Sequence, residues 1–392
     1  MKSNWKKYTF DDICTRIYSG GTPSTKKSEY WNGSINWLSS GETKNKYIHK
    51  TERKITEFGV THSSTQKAHV GDTVVASAGQ GYTRGQASYL TIDTYINQSV
   101  IVFNANSKIV DKKFLYFNLD NRYDELRQLS DGTSTRGGLS CWIVKKMEIN
   151  LPPLETQKKI ASILSALDDK IELNNKINEN LEMQAQAIFK SWFVDFEPFG
   201  GVMPEDWKMG TVKDIVELHD SKRIPLSGSE REKMDKIYPY YGATSCMDYV
   251  DNYIFDGIYL LLGEDGTVVD TKGFPILQYV EGKFWVNNHA HILTGKLGYT
   301  VETLYLLFKQ TNVTHIVTGA VQPKISQANL KKLPAIIPNI KELDNFNTII
   351  QPIFSMIRKN KNENQRLAEL RDTLLPKLMN GEIDVDDVQV KE

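Results

Sequence analysis

The sequence predicts an α+β protein in which two globular domains are joined by two long antiparallel helices, the second half of the chain repeating the frame of the first. Three observations carry that expectation. The stretch WKKYTFDDI (5–13) returns as WKMGTVKDI (207–215), with Trp, Lys, Thr, Asp and Ile in matching places 202 residues on. KKMEINLPPL (145–154) returns as KKLPAIIPNI (331–340), now 186 residues on, so the second copy keeps both ends of the frame and shortens its middle. An apolar stripe that steps alternately by four and three residues also recurs at 186.

Taken in chain order, residues 1–153 form the first globular domain, with strand-like runs such as DTVVAS and QSVIVF set between Gly, Asn and Asp turn signals. Pro152 and Pro153 cannot lie inside a helix, so the first long helix begins after them and occupies 154–198, ending near Pro198, Gly200 and Gly201. The second globular domain, 199–338, carries GIYLLLG and HAHIL as matching strands. Pro338 punctuates the start of the second long helix at 339–383. Gly381 suits its C-cap, and Pro376 should kink or fray its last turns. Residues 384–392 make an acidic tail.

The stripe on the first helix reads Ile160, Leu164, Leu167, Ile171, Asn174, Asn178, Leu181, Ala185, Ile188 and Trp192. On the second it reads Phe346, Ile350, Ile353, Ile357, Asn360, Asn364, Leu367, Arg371, Leu374 and Leu378. A strict seven-residue period marks a two-stranded coiled-coil seam, and the partner at hand is the other copy. About 33 residues at 1.5 Å each give a rod of roughly 50 Å. Paired antiparallel about a pseudo-two-fold, residue i faces residue 538−i, which puts Asn174 opposite Asn364 and Asn178 opposite Asn360. An amide in an apolar seam costs stability unless another amide meets it, so the two pairs fix the register.

Composition narrows the class. At 392 residues the chain exceeds one ordinary core. Its beginning, MKSNWKKYTF, lacks the apolar run of a signal peptide, and no stretch approaches the ~18 apolar residues of a membrane span, so a cytoplasmic protein is expected. Three distant cysteines, Cys14, Cys141 and Cys246, imply no disulfide framework, and no CxxC or HxxxH pair suggests a metal site. The formal net charge is zero, yet residues 1–150 hold 21 Lys+Arg against 14 Asp+Glu, so the basic excess is confined to the first domain.

No catalytic constellation emerges. LPPL (151–154) lacks the leading Asn or Asp of an amino-methyltransferase loop, and its second copy is IPNI. FEPFGG (196–201) follows a helix rather than a strand and so makes no S-adenosylmethionine turn. No G-x-x-x-x-G-K-[ST] loop exists for ATP, and PEDWK (204–208) has no acidic counterpart before Trp5. His289 and His291 alternate on one strand face and suit a polar groove better than a ligand pair.

Nucleic-acid contact has better support. SAGQGYTRGQASY (77–89) presents Gln80, Tyr82, Arg84 and Gln86 between glycines, and LSDGTSTRGGLS (129–140) presents Ser134, Thr135 and Arg136. Such loops bring Arg and Gln forks to base edges or phosphates, with glycines allowing close backbone approach. In the second domain the candidates are Lys222 and Arg223, Thr244 and Ser245, Asn288, His289 and His291, and Gln322 and Lys324.

The tandem architecture resembles the DNA-specificity subunit of type I restriction-modification systems. The resemblance covers essentially the whole chain. It rests on the two W-K-x-x-T-x-x-D-I starts, on INLPPLETQKKIASILSALDDKI (149–171), on YPYYGATSCMDYVDNYIFDGIYLLLGEDG (238–266) and on LRDTLLPKLMNGEI (370–383). The second copy, IPNIKELDNFNTII, departs from the Pro-Pro-Leu-x-x-Gln pattern and lacks its Gln. The resemblance implies that each globular unit is a target recognition domain reading one half of a split double-stranded DNA site. The helices would then be a spacer that docks two modification (methyltransferase) subunits, joined by restriction subunits. It also implies that the chain is not catalytic and holds no cofactor, S-adenosylmethionine and ATP being bound by the partner subunits. Because the two copies differ, the half-sites should differ, separated by a non-specific gap set by the rod. The alternatives are a coiled-coil adaptor that binds only proteins, distinguished by the salt dependence of DNA affinity, and an enzyme with an unrecognised site.

Overall fold

The computed structural model describes residues 4–131, 138–319 and 321–385 and mixes helices with five small sheets. The chain divides into two compact units, residues 1–172 with 365–392, and residues 173–364. Each unit therefore takes in part of both long helices, Leu154–Phe193 and Ile340–Met379. The first helix starts directly after Pro153 and the second two residues past Pro338, in keeping with proline's exclusion from a helix interior, and both stop before the glycines at 200–201 and 381. Pro376 sits inside the last turn of the second helix, which continues to Met379. Among the described residues no helix is long and apolar enough to cross a membrane.

In the first unit the opening motif has a physical meaning. Lys6–Thr9 pairs antiparallel with Glu148–Leu151, so the two repeated sequence signatures are neighbours in space. The Thr9 N–H and hydroxyl donate to the Asp12 carboxylate at 2.8 and 2.7 Å, and the hydroxyl accepts from the Asp12 N–H. This capping box starts the helical turn Phe10–Ile13, whose Phe10 and Ile13 are fully buried. A five-stranded sheet follows in the order Cys14–Ser19, Val100–Ala105, Thr73–Ala76, Ala87–Leu90, Tyr47–Ile48. A second sheet orders Arg53–Ile55, Trp31–Leu38, Thr94–Ile96 and Gln66–Ala68. One core joins Phe10, Phe103, Phe114 and Phe117 to Ile160 and Leu164 of the first long helix and to Leu375, Leu378 and Met379 of the second.

Gln157, the glutamine after the double proline, is buried. It accepts from the Asp111 N–H at 2.9 Å and donates to the carbonyls of Ile109 and Pro152. Arg371, which interrupts the apolar stripe, donates to the Asp168 carboxylate at 2.7 Å, and Tyr47 donates its hydroxyl to the same carboxylate at 2.9 Å. Both charges are almost fully buried, so the break in the stripe is a compensated ion pair.

The second unit repeats the frame. Lys208–Thr211 pairs antiparallel with Pro334–Ile337, and Thr211 and Asp214 form the matching capping box. A six-stranded sheet runs Val216–Leu218, Ala290–Gly295, Phe255–Gly263, Leu277–Val286, Tyr238–Tyr241, Cys246–Val250. Gln157 has become Leu343, fully buried, so an amide that tied loops together is replaced by apolar filling. Phe189 and Phe193 pack against Phe346, with Trp192 beside the same ring at 5.6 Å between centroids. Trp207 of the opening motif packs on Phe193 and Phe199 at the end of the first long helix. In the first unit, Trp5 lies against Gly381 at the end of the second long helix, where a Cβ would come within 3.0 Å of its ring.

Within this unit the helix segments run in opposite directions and the asparagines meet. Asn174 Nδ2 donates to Asn364 Oδ1 at 2.9 Å and to Glu363 at 2.8 Å. Asn360 Nδ2 donates to Asn178 Oδ1 at 2.8 Å, and Asn178 Nδ2 reaches the Ile357 carbonyl at 3.4 Å. Asn174 is 1% exposed and Asn360 7%, so these amides sit in the seam with their partners supplied.

Candidate nucleic-acid interface

At one end of each main sheet the connecting loops converge, and the same backbone bonds hold them in both units. In the first unit the Ser77 N–H donates to the Ser99 carbonyl at 2.8 Å and the Leu139 N–H to the Ser77 carbonyl at 2.9 Å. In the second the Glu264 N–H donates to His289 at 2.8 Å and the Ile325 N–H to Glu264 at 2.8 Å. The Asn97 N–H meets the Leu38 carbonyl at 3.1 Å, and the Asn287 N–H meets Tyr241 at 3.0 Å. Asn97 and Asn287 each fold back on the chain: their side-chain oxygens accept from the N–H of Ser99 and His289 at 3.0 and 2.8 Å. These Asx turns are buried and tip the intervening residue outward.

Around that shared frame the loops differ. In the first unit residues 79–85 take left-handed backbone at Gly79, Gly81 and Gly85, which only glycine adopts without strain. The loop rests on the helix Tyr123–Asp131. Arg127 donates to the Gly81 carbonyl at 2.5 Å, the Tyr123 hydroxyl donates to the Tyr82 carbonyl at 3.1 Å, and Arg84 pairs with Asp131. Gln80 and Tyr82 are exposed, Tyr82 to 82%. The Arg84 side chain is only 12% exposed, so its guanidinium is committed to Asp131 and holds the loop rather than projecting from it. Gln86 is half-buried. Ser134, Thr135 and Arg136 lie outside the described residues; at the flanks, the Gly138 N–H donates to the Ser130 carbonyl and Leu139 joins Ser77.

In the second unit the candidates gather on a buried charged cluster. Arg223, 14% exposed, donates to Glu264 at 2.6 Å and to the Ala290 carbonyl at 2.8 Å. His291 is fully buried, its Nδ1 2.6 Å from Asp220 and its Nε2 donating to the Ile325 carbonyl at 2.8 Å. His289 meets Asp265, and Lys324 reaches Glu264 at 3.2 Å. Burial alone would raise the Asp220 carboxyl. The hydrogen bonds from His291 and the Ile292 N–H, with the charge of Arg223, outweigh it and hold the group below the usual carboxylate value. Glu264 is lowered in the same way, burial being overcome by Arg223, His291 and Lys324. Asp220, Glu264 and His291 bring ligand-type atoms within 4.8 Å of one another, but the Arg223 guanidinium already supplies positive charge to both carboxylates. Lys222, Thr244, Ser245, Asn288 and Gln322 are exposed around this cluster, the 242–245 turn being joined to it through the Tyr241–Asn287 bond.

The structure thus brings the second unit's candidates together. It places Arg223 and His291 beneath the surface rather than on it. Sequence reading missed the acidic partners Asp131, Asp220, Glu264 and Asp265, the staple Arg127, and the two Asx turns. The turns had a signal, since INQSV and VNNHA stand 190 residues apart, between the 202 and 186 of the flanking repeats.

Known proteins place this frame. Residues 2–183 and 204–372 match the family described as type I restriction modification DNA specificity domain. The MjaIX specificity subunit of Methanocaldococcus jannaschii is 28% identical, the match covering 99% of this chain and 95% of the relative. The HindI specificity subunit of Haemophilus influenzae is 25% identical over 97% and 100%. The type I restriction-modification S subunit from M. genitalium has a similar fold, with a TM-score of 0.61 at 17% identity over 96% of each chain. The chain belongs to the type I restriction-modification DNA specificity family, whose members leave catalysis to their partner subunits.

Proposed function

We propose that the chain reads an asymmetric, two-part site in double-stranded DNA, one part by each unit, and scaffolds two modification subunits and the restriction subunits around it. The observation that carries this reading is the repeated loop frame with different loops around it: identical backbone bonds hold Ser77–Ser99–Leu139 and Glu264–His289–Ile325, while the longer loops beside them, 79–85 in one unit and 242–245 and 318–324 in the other, differ in sequence. Such a design suits a common approach to the phosphate backbone with separate base readout. Gln80 and Tyr82 in the first unit, and Lys222, Thr244, Ser245, Asn288, His289, Gln322 and Lys324 in the second, are the DNA-facing set. Arg84, Arg223 and His291 brace them. The long helices form the coiled-coil spacer of an internal two-fold repeat, and their length fixes the gap between the half-sites. The chain itself takes no cofactor; S-adenosylmethionine and ATP belong to the modification and restriction subunits, and the assembly works in the cytoplasm.

The test is a segment exchange. Replacing residues 14–144 by the corresponding region of a relative, with the modification subunits present, should change one half of the methylated motif and leave the other. A change in both halves would end the claim of independent reading. DNA affinity that ignores salt would favour the protein-only adaptor instead.

A further inference from the structure

Gln98 and Asn288 occupy the same place in the two units. Each is the middle residue of an Asx turn, between Asn97 and Ser99 and between Asn287 and His289. Each turn is anchored by a buried asparagine and by the same two backbone bonds, to Leu38 and Ser77 in one unit and to Tyr241 and Glu264 in the other. Both tip residues are exposed, and both are carboxamides. The Thr22 hydroxyl donates to Gln98 Oε1 at 2.6 Å, which orients the amide and leaves its NH2 group directed elsewhere. The Asn288 carbonyl accepts from Arg223 at 3.3 Å, so the backbone that carries this side chain is fixed by the charged cluster.

Flexible surface amides are common, but two on matching, doubly anchored turns are not explained by folding. The buried asparagines complete the turn, and any residue could stand at its tip. A carboxamide offers a donor and an acceptor side by side, the pattern that complements the N6 amino group and N7 of adenine in the major groove. A short reader on an immobile turn loses little freedom on binding and so discriminates well. We infer that Gln98 and Asn288 are the equivalent base readers of the two units, each contacting an adenine in its own half-site. This rests on the reading of the chain as a DNA-specificity subunit and assigns residues within it.

The experiment uses the full chain with its modification subunits in cells free of other adenine methylation, and reads the methylated motif by sequencing. Gln98→Ala should relax one A·T position in one half by about ten- to a hundredfold in discrimination, and Asn288→Ala one A·T position in the other half. Gln98→Glu keeps the acceptor for Thr22, and with it the turn, but removes the NH2 donor; it should lose the same adenine. A wild-type chain that methylates a two-part motif while all three variants keep that motif overturns this inference alone. Relaxation at a G·C pair, or in both halves at once, also overturns it. A wild-type chain that directs no methylation overturns the specificity-subunit reading and this inference with it.

Discussion

The two units hold the same loop frame by opposite means. In the first, the loop carrying Tyr82 is glycine-rich and is clamped from outside by Arg127, Tyr123 and the Arg84–Asp131 pair. In the second, the frame closes over a buried cluster in which Arg223 and His291 face Asp220 and Glu264. The seam differs likewise. Its first-unit portion buries the ion pair Asp168–Arg371, and its second-unit portion buries asparagine pairs. The difference teaches that backbone geometry is what the repeat preserves, and that the chemistry stabilising it is free to change.

The largest expected effects come from breaking the buried charges. Asp220→Ala leaves His291 and Arg223 facing one carboxylate fewer in the interior and should cost about 3–5 kcal/mol. Ser77→Ala, in the first unit's equivalent layer, should cost under ~1 kcal/mol because there the backbone makes the bonds. Thermal unfolding of the two variants measures the contrast, and equal losses would erase it. Arg371→Leu should match Asp220→Ala, since it strands Asp168 beside Tyr47. The second unit should also be the acid-sensitive one. The carboxyls of Asp220 and Glu264 are held below their ordinary values, so they stabilise the fold above about pH 4 and lose that contribution as pH falls through the folded values. Amide protection at residues 287–292, corrected for the intrinsic slowing of exchange with acid and followed from pH 7 to 3, should be lost before it is at residues 97–102.

The seam's amides rank next. Asn178→Leu leaves Asn360 against an aliphatic group and should cost about 1–3 kcal/mol. Adding Asn360→Leu should recover most of that loss, because two apolar partners satisfy one another. A double variant as unstable as the sum of the singles would show that the amides act independently. Arg127→Ala comes below this. Losing the clamp on Gly81 should cost about 1 kcal/mol and raise amide exchange across residues 79–85 while leaving the second unit unchanged.

Much of this was legible because it is periodic. The helix starts after proline follow from local spacing, and the facing asparagines from two seven-residue stripes repeated in the same register; the capping boxes Thr9–Asp12 and Thr211–Asp214 stood in the repeated T-x-x-D and went unread. Charged partners were not, since Asp168 meets Arg371 across 203 residues and Asp220 meets His291 across 71. Arg371 was the one hint: an arginine in an apolar stripe requires a buried acid, but nothing in the sequence says which. The same reasoning explains why arginines such as Arg84 and Arg223 looked like DNA contacts. Exposure of a side chain in a glycine-rich or turn segment depends on what the fold places beneath it.

The smallest expected effect separates the surface from its footing. Lys222 is exposed one residue before Arg223, which is 14% exposed. If the second unit presents its loops to DNA, Lys222 is placed to meet a phosphate and Arg223 is not. Lys222→Ala should then weaken binding to all duplexes alike and flatten the dependence of log affinity on log salt by about 0.9, with thermal stability unchanged. Arg223→Ala should lower stability through the stranded Glu264 and Asp220, and relax the second half-site through the loops they hold. Measuring both variants across a salt series tells the two roles apart. A stable Arg223→Ala whose only change is the salt slope would move Arg223 to the surface and leave the charged cluster without its bracing role.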